Sequence, residues 1–493
     1  MKTSSTHRFR PILRLLALGL LLFGVTRPAS AFPIFARKYQ TSCVTCHSVF
    51  PKLNPFGQAF RLNGYRMPAE TEEQIKQRPV SLGSEAYKRV WPAAVWPSEL
   101  PGNAPVAINI KMAAVNNTTT DQQGVSTLNS HLDFQFPGEV NLFTAGTLGE
   151  HMSFLAELTH EEGPDGGSGT EIEHARLDFD SLLGPDHAFN IRLGKFAPNL
   201  YDGFQEMWIT TDAGIDSLFM YSPFGPKGGN GFFGDDGAAP VISLPARVRG
   251  IEIYGVLNHR FFYTAGVSSK IGPGQDAVTN PATSSGNFGN NTHHDVYARI
   301  DYKFGGMGLD GDTTGVNLPP ENWRENSFRV GLFGLSGNGT NANFLQFDPS
   351  GATTFQQQDT SYKRVGLFAS WMWGNLNLFG VALHGQDKLN TLVDTSDTAQ
   401  PFMTKTFDAW FAQADYVLYA PLTLSARLES LRTPDPSVND NKNFKRGVLS
   451  ISYLIYANCK AQLEFANDLN PETVDQAYVG KVKTLSAIIR TAF

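Results

Sequence analysis

Residues 106–115 read VAINIKMAAV. In an extended chain Val106, Ile108, Ile110 and Met112 share one face, and Ala107, Asn109, Lys111 and Ala113 share the other. That is the period of two that marks a strand. The pattern recurs to the end of the chain. It predicts strands near 105–115, 131–145, 150–161, 172–182, 187–196, 246–257, 260–269, 294–304, 326–336, 361–373, 375–386, 406–417, 421–431, 445–456, 459–467 and 479–493, about sixteen in all. An even count suits a bacterial outer-membrane barrel.

The connections sharpen this reading. Short turns fall near 147–151, 183–186, 258–259, 373–375, 419–421 and 457–458. Between them lie long polar segments at 116–130, 162–171, 270–293, 337–360, 387–405 and 432–444. Periplasmic turns and external loops alternate in this way. Residues 305–325 break the rule, being long where a short turn is expected. The longest connection, 197–245, reads either as a loop folded into the lumen or as an external loop with its own short helix.

The two faces also differ. In 445–453 Gly447, Leu449, Ile451 and Tyr453 alternate with Arg446, Val448, Ser450 and Ser452. An apolar face outward and a mixed or polar face inward is the reverse of a soluble barrel. The stretch ending in Phe493 places Leu485, Ala487 and Ile489 in alternation, as closing strands of outer-membrane proteins do. The fold class is therefore mainly β, a transmembrane antiparallel barrel spanning about 104–493.

Bulk properties exclude other classes. The chain has 493 residues, a net charge of −6 and three cysteines. No basic excess points to nucleic acid, and three thiols cannot staple a secreted scaffold. Lys2, Arg8, Arg10 and Arg14 precede the apolar run Leu15–Val25, and Ala29-Ser30-Ala31 follows it. That is a signal peptide over 1–31, too short to serve as a membrane span. The expected destination is the outer membrane of a Gram-negative bacterium.

Ahead of the barrel, Cys43, Cys46 and His47 have the C-x-x-C-H spacing of a c-type haem site. Two thiols one helical turn apart would each bond a vinyl group, and His47 would be the proximal iron ligand. A zinc or redox pair is the competing reading. Zinc would need further ligands, yet no histidine occurs between Ser48 and Ser130. Export to the periplasm, where haem c is attached, favours one covalent haem c. Met67 is the nearest thioether for the sixth position. It competes with simple packing of Met67, with an open iron, and with a residue lent by the barrel.

Residues 32–68 carry Arg37, Lys38, Lys52, Arg61 and Arg66 with no Asp or Glu, a charge suited to haem propionates. So few residues cannot bury a haem unaided. Phe50, Phe56, Phe60 and Tyr65 cover one side at most, and the barrel is the obvious cover for the rest.

The stretch FARKYQTSCVTCHSVFPKLNPFGQAFRLNGY (35–65) resembles the N-terminus of the outer-membrane monohaem cytochrome–porin fusions of iron-oxidising bacteria and their relatives. The matching features are Phe35-Ala36, the C-x-x-C-H, Pro51 and Leu53, Phe56-Gly57, Phe60-Arg61 and Gly64-Tyr65. The resemblance implies a haem within the barrel that passes electrons between an external donor and periplasmic carriers such as soluble cytochromes. Residues 69–103, with YKRVWPAAVWP at 87–97, depart from that pattern. They read as a linker, a second plug or a docking surface.

Three functions compete. The first is an electron conduit, with Fe(II) a plausible extracellular donor drawn to loop carboxylates such as Glu161, Glu162, Asp165, Glu171 and Glu173. The simpler reading of those groups is an ordinary acidic loop. The second is a transport channel with a haem-bearing structural or redox-gated plug. The third, a haem peroxidase, needs a distal acid–base pair, and none is visible near the motif. His131, His160, His174, His293 and His294 fall in or near loops and read for the most part as solvated; a metal held by His160 and His174 at the mouth of one hairpin is the less favoured reading. Cys459, at a turn, reads as an idle thiol.

Overall fold

The computed structural model describes residues 34–39, 41–68, 80–81, 99–100, 105–120, 131–148, 151–162, 168–184, 187–201, 209–213, 215, 218, 244–245, 247–268, 294–347, 353–392, 403–432, 444–469, 473–474, 477–478 and 481–493. The expected signal segment, Asp165, His293 and most of 69–103 lie outside these residues. Among the described residues no helix is long and apolar enough to cross a membrane.

The crossing is made by strands. In chain order they are β1 (Val106–Thr120), β2 (His131–Leu148), β3 (Met152–Glu162), β4 (Ser168–Phe179), β5 (Asn190–Phe196), β6 (Val248–Leu257), β7 (Phe261–Ser268) and β8 (Asp295–Gly305). Then follow β9 (Glu325–Phe347), β10 (Thr353–Gly374), β11 (Leu376–Leu392), β12 (Met403–Tyr419), β13 (Leu422–Arg432), β14 (Phe444–Tyr456), β15 (Cys459–Asp468) and β16 (Lys481–Ala492). Each pairs antiparallel with its chain neighbours, and β16 closes on β1 from Lys481↔Thr120 to Ala492↔Asn109. Phe493 completes the seam by exchanging both backbone hydrogen bonds with Ile108.

All sixteen strands fall where the alternation places them. β9 and β10 run on well past the expected ends at 336 and 361. Those extensions are rich in Gly, Asn, Thr and Gln and carry no apolar alternation for a sequence pattern to detect.

The faces are as expected on the outside. Leu449 is 61% exposed and Ile451 49%, while the alternating Ser450 and Ser452 are buried. An apolar belt facing outward on a closed barrel is stable only in lipid, and a barrel of this kind belongs to the outer membrane. Near the short-turn end the belt carries an aromatic girdle. There Trp371 and Trp373 stack at 6.0 Å, and Tyr302 and Phe304 lie 4.7 Å apart.

The inside differs from expectation in part. Over β4–β9 the inward face is charged. Arg192 pairs with Asp178 and Glu252 at 2.5 and 3.1 Å, and Asp301 takes both Arg299 and Arg329 at 2.6 and 2.5 Å. Over β9–β12 it is largely aromatic, with Phe333, Phe368, Phe379, Phe407 and Phe411 buried beside the buried polar groups Arg364 and Asp415. The reason is the long connection after β5. Its Leu200, Ile209, Ile215, Leu218 and Leu244 join these aromatics in one buried cluster. The described part of that loop therefore folds into the lumen and crosses it. Arg427 on β13 donates to Thr211 and Ala213, and Glu464 on β15 accepts from the backbone of Asp212 and Ala213.

A charge near mid-strand on the outer face should be costly and one on the inner face tolerated. Leu449→Arg is expected to destabilise the folded barrel by about 2–4 kcal/mol, with Ser450→Arg much milder. Urea titrations in lipid, read by gel mobility, test the pair. A reversed order would overturn the assignment of faces.

Candidate haem site

The C-x-x-C-H stretch is held by short elements that brace one another. Cys43–Thr45 forms a 3-10 turn, with Cys46 N–H bonding Cys43 O at 3.2 Å. Two short helices flank it, α1 (Ile34–Lys38) and α2 (Pro55–Leu62). Asn54 ties α2 to the motif. Its side-chain oxygen accepts from Gly57 N–H at 2.9 Å and its amide donates to Val44 O and Thr45 O. A side-chain oxygen at this position caps a helix start. Gly57 lets α2 lie against the motif, since a Cβ there would sit 2.1 Å from Cys46 O.

This unit sits in the short-turn mouth of the barrel, the periplasmic end of such proteins. Its cations dock it. Lys52 Nζ meets Asp415 Oδ2 at 2.5 Å and Asn377 Oδ1 at 2.6 Å, and lies 4.0 Å above the Phe379 ring. Arg66 bonds Asp180 at 3.0 Å and Met152 O at 2.8 Å. Arg37 donates to Val106 O and Lys38 to Thr147. Much of the basic charge that the sequence offers to propionates is thus committed to the barrel.

The long turn after β8 has the same task. Asn63 donates to Asp310 O at 2.8 Å, Asn322 to Thr45 O at 3.2 Å, and Leu309 packs with Leu62, Tyr254, Val256 and Phe262. Gly311, at φ +92°, passes so close to the unit that a Cβ would lie 2.4 Å from Pro68. The turn is long because it straps the unit into the mouth.

Unit and barrel together enclose a cavity of about 1520 Å³, its open mouth included. Cys43, Cys46, His47 and Met67 line it from the unit, with Phe35, Phe50, Phe60 and Tyr65; Phe56 does not. Phe35 stacks on Tyr65 at 4.7 Å. The barrel adds Ala107, Phe143, Ala145 and Leu155, and the polar Glu157, His174, Arg176 and Arg490.

The donors fit a covalent haem better than the competing readings. His47 Nδ1 lies 2.9 Å from Pro51 O. That carbonyl can only accept, so the proton is held on Nδ1 and Nε2 is left as the ligating atom. Desolvation pushes His47 down to about 4, keeping the imidazole neutral as a ligand must be. Burial pushes the Cys43 thiol up to about 11, and burial with the neighbouring Cys43 pushes Cys46 up to about 12. A catalytic dithiol needs the opposite shift. Among the described residues Cys43, Cys46 and His47 do not converge on a point as zinc ligands do. Arg61 reaches the cavity from α2. Burial, followed by the charges of Arg192 and Arg176, pushes it down to about 10. Arg192 and Arg176 are both paired with Asp178; Arg61 is the unit's buried cation at this cavity, where it could meet an anionic group.

Two residues contradict their sequence reading. His174 and Glu173 belong to no external loop and are buried facing the lumen. A register shift between β3 and β4 sets both opposite Glu157, and such a bulge turns two successive side chains to one face. His174 Nδ1 then meets Glu157 Oε2 at 2.9 Å, and Arg247 meets Glu173 at 2.5 Å. His160 pairs instead with Thr170 and does not join His174. The histidine–carboxylate pair that is missing near the motif is therefore supplied by the barrel wall. Register cannot be read from one strand's pattern, so nothing in the sequence points to it.

No family model matches the chain, and no curated protein matches it. Solved outer-membrane barrels resemble it in fold. OmpT of Vibrio cholerae is 10% identical, with a TM-score of 0.44 over 79% of this chain and 97% of its own. An anion-selective porin from Comamonas acidovorans is 12% identical, with a TM-score of 0.48 over 79% and 99%. The channel DcaP of Acinetobacter baumannii is 10% identical, with a TM-score of 0.47 over 79% and 96%. At this distance the likeness goes no further than the barrel.

Docking of the unit should depend on the buried Lys52–Asp415 pair. Asp415→Leu takes the counter-charge away from buried Lys52 and is expected to cost about 3–5 kcal/mol of protection at the α2 amides, read by hydrogen exchange. Lys52→Met together with Asp415→Leu is expected to recover most of it. Unchanged protection in the single variant would show that the pair does not hold the unit.

Proposed function

We propose that this outer-membrane barrel carries one covalently attached haem c in its periplasmic mouth and passes electrons across the membrane. The observation that carries the reading is the C-x-x-C-H stretch, which faces an apolar cavity shared with the barrel and has a neutral imidazole already fixed by Pro51. Cys43 and Cys46 would hold the two vinyl-derived carbons and His47 Nε2 the iron. Arg61, Arg176 and Arg490 would face the propionates, while Phe35, Phe60 and Tyr65 keep water off the ring. When bound, the group supplies a one-electron couple. The resemblance of residues 35–65 to the cytochrome–porin fusions supports the same reading.

A centre at the periplasmic end meets soluble carriers directly and an external donor through the lumen. Glu161, Glu162 and Glu171 remain exposed at the far end. They would raise the local concentration of a cationic donor such as Fe(II).

The barrel itself favours a second reading, a porin-like channel with a haem-bearing plug. A closed sixteen-strand barrel with charged luminal rows is the architecture of a solute pore.

Proteoliposomes with a trapped redox dye separate the two. The electron-transfer reading expects external Fe(II) to reduce the dye, with loss of at least tenfold in Cys43→Ala/Cys46→Ala. It also expects a haem-stained band on denaturing gels that the variant lacks. Dye left oxidised, together with a single-channel conductance that changes with haem redox state, would select the plugged channel. A wild-type band without haem stain would sink both.

A further inference from the structure

We infer that His174, on the barrel wall, is the sixth ligand of the haem, so that the iron is held between the unit and the barrel by two imidazoles. This rests on the haem reading above and names a residue that reading leaves open.

Three observations converge on His174. It lines the same cavity as Cys43, Cys46 and His47, but from the opposite partner. The bulge between β3 and β4 turns it inward. Without that extra residue, the strict alternation of β4 would send either Glu173 or His174 out toward lipid. Finally, its ring is oriented as that of His47 is. Nδ1 is 2.9 Å from Glu157 Oε2, and with Glu157 ionised that contact holds the proton on Nδ1 and leaves Nε2 to bind a metal. Pro51 O does the same for His47 at the same 2.9 Å.

Depth agrees with this. Arg176, two residues nearer the mouth, donates to the Tyr65 hydroxyl of the unit. His174 therefore lies about 7 Å further along the strand, on the luminal side of the cavity.

Two alternatives use the same atoms less well. Glu157, Glu173 and His174 converge closely enough to suggest a separate cation site. However, Glu173 is engaged by Arg247 at 2.5 Å, and Arg176 adds a further positive charge nearby. Met67, the thioether candidate, lines the cavity on the side of His47 and the unit, packed against Tyr39, Phe60 and Tyr65, and offers no link between the unit and the wall.

The test uses full-length, haem-loaded protein in detergent, with electron paramagnetic resonance and near-infrared magnetic circular dichroism of the oxidised state. The expected wild type is low-spin with two nitrogen ligands. His174→Ala should become high-spin, and added imidazole should return it to low spin. Met67→Leu should leave the spectrum unchanged. If His174→Ala fails to fold, His174→Met is the second variant, expected to show a sulfur–iron band and a raised reduction potential. An unchanged His174→Ala spectrum, or a wild-type sulfur band lost in Met67→Leu, would overturn the assignment. A wild type already high-spin would also overturn it and leave His174 and Glu157 as a distal acid–base pair. Protein that folds without covalent haem would instead remove the underlying haem reading.

Discussion

Hydrogen-bond closure in lipid is the constraint on which the rest of the molecule depends. A sheet crossing hydrocarbon cannot keep an edge, because every unpaired N–H or C=O there costs several kcal/mol. β16 must therefore find β1, which it does along twelve residue pairs ending beside the Ile108–Phe493 exchange. Closure fixes the outer face as apolar. It also leaves an interior and two mouths that the remaining chain must fill. The periplasmic unit and the connection after β5 are the two fillings.

These fillings meet at one carboxylate. Asp415 receives Lys52 from the unit at 2.5 Å and Thr210 of the luminal loop at 2.8 Å. A segment entering from the external side and a segment entering from the periplasmic side are thus held to the same point of β12. The strap after β8 holds the far side of the unit through Asn63 and Asn322. The cavity follows from this arrangement. A unit with two short helices has too little apolar surface to enclose a large ring, so β16 and β1–β4 complete the wall.

Much of the barrel was legible in the sequence because its signal is local. Alternation along one strand reports lipid on one side whatever the partner strands do, so all sixteen strands were readable, and so was the facing of runs such as 445–453. The C-x-x-C-H motif is local too. What remained hidden depends on partners. The polar ends of β9 and β10 carry no apolar alternation in their sequence. The aromatic inner face of β9–β12 makes sense only once the loop bearing Ile209 and Leu218 is known to fold inward. His174 and Glu157 are seventeen residues apart and are joined by a one-residue shift in register. That shift is a property of two strands together, so Glu173 and His174 read as loop residues in the sequence and are luminal in the barrel.

On the proposed reading one cavity, built jointly by the N-terminal unit and the barrel wall, holds the haem. Single-particle electron microscopy of haem-loaded protein in lipid nanodiscs tests it most directly. The expected map shows macrocycle density joined to Cys43 and Cys46, lying between His47 and the β3–β4 wall inside the periplasmic mouth. A map with the unit detached from the rim, and its haem enclosed by something other than β1–β4, would contradict it.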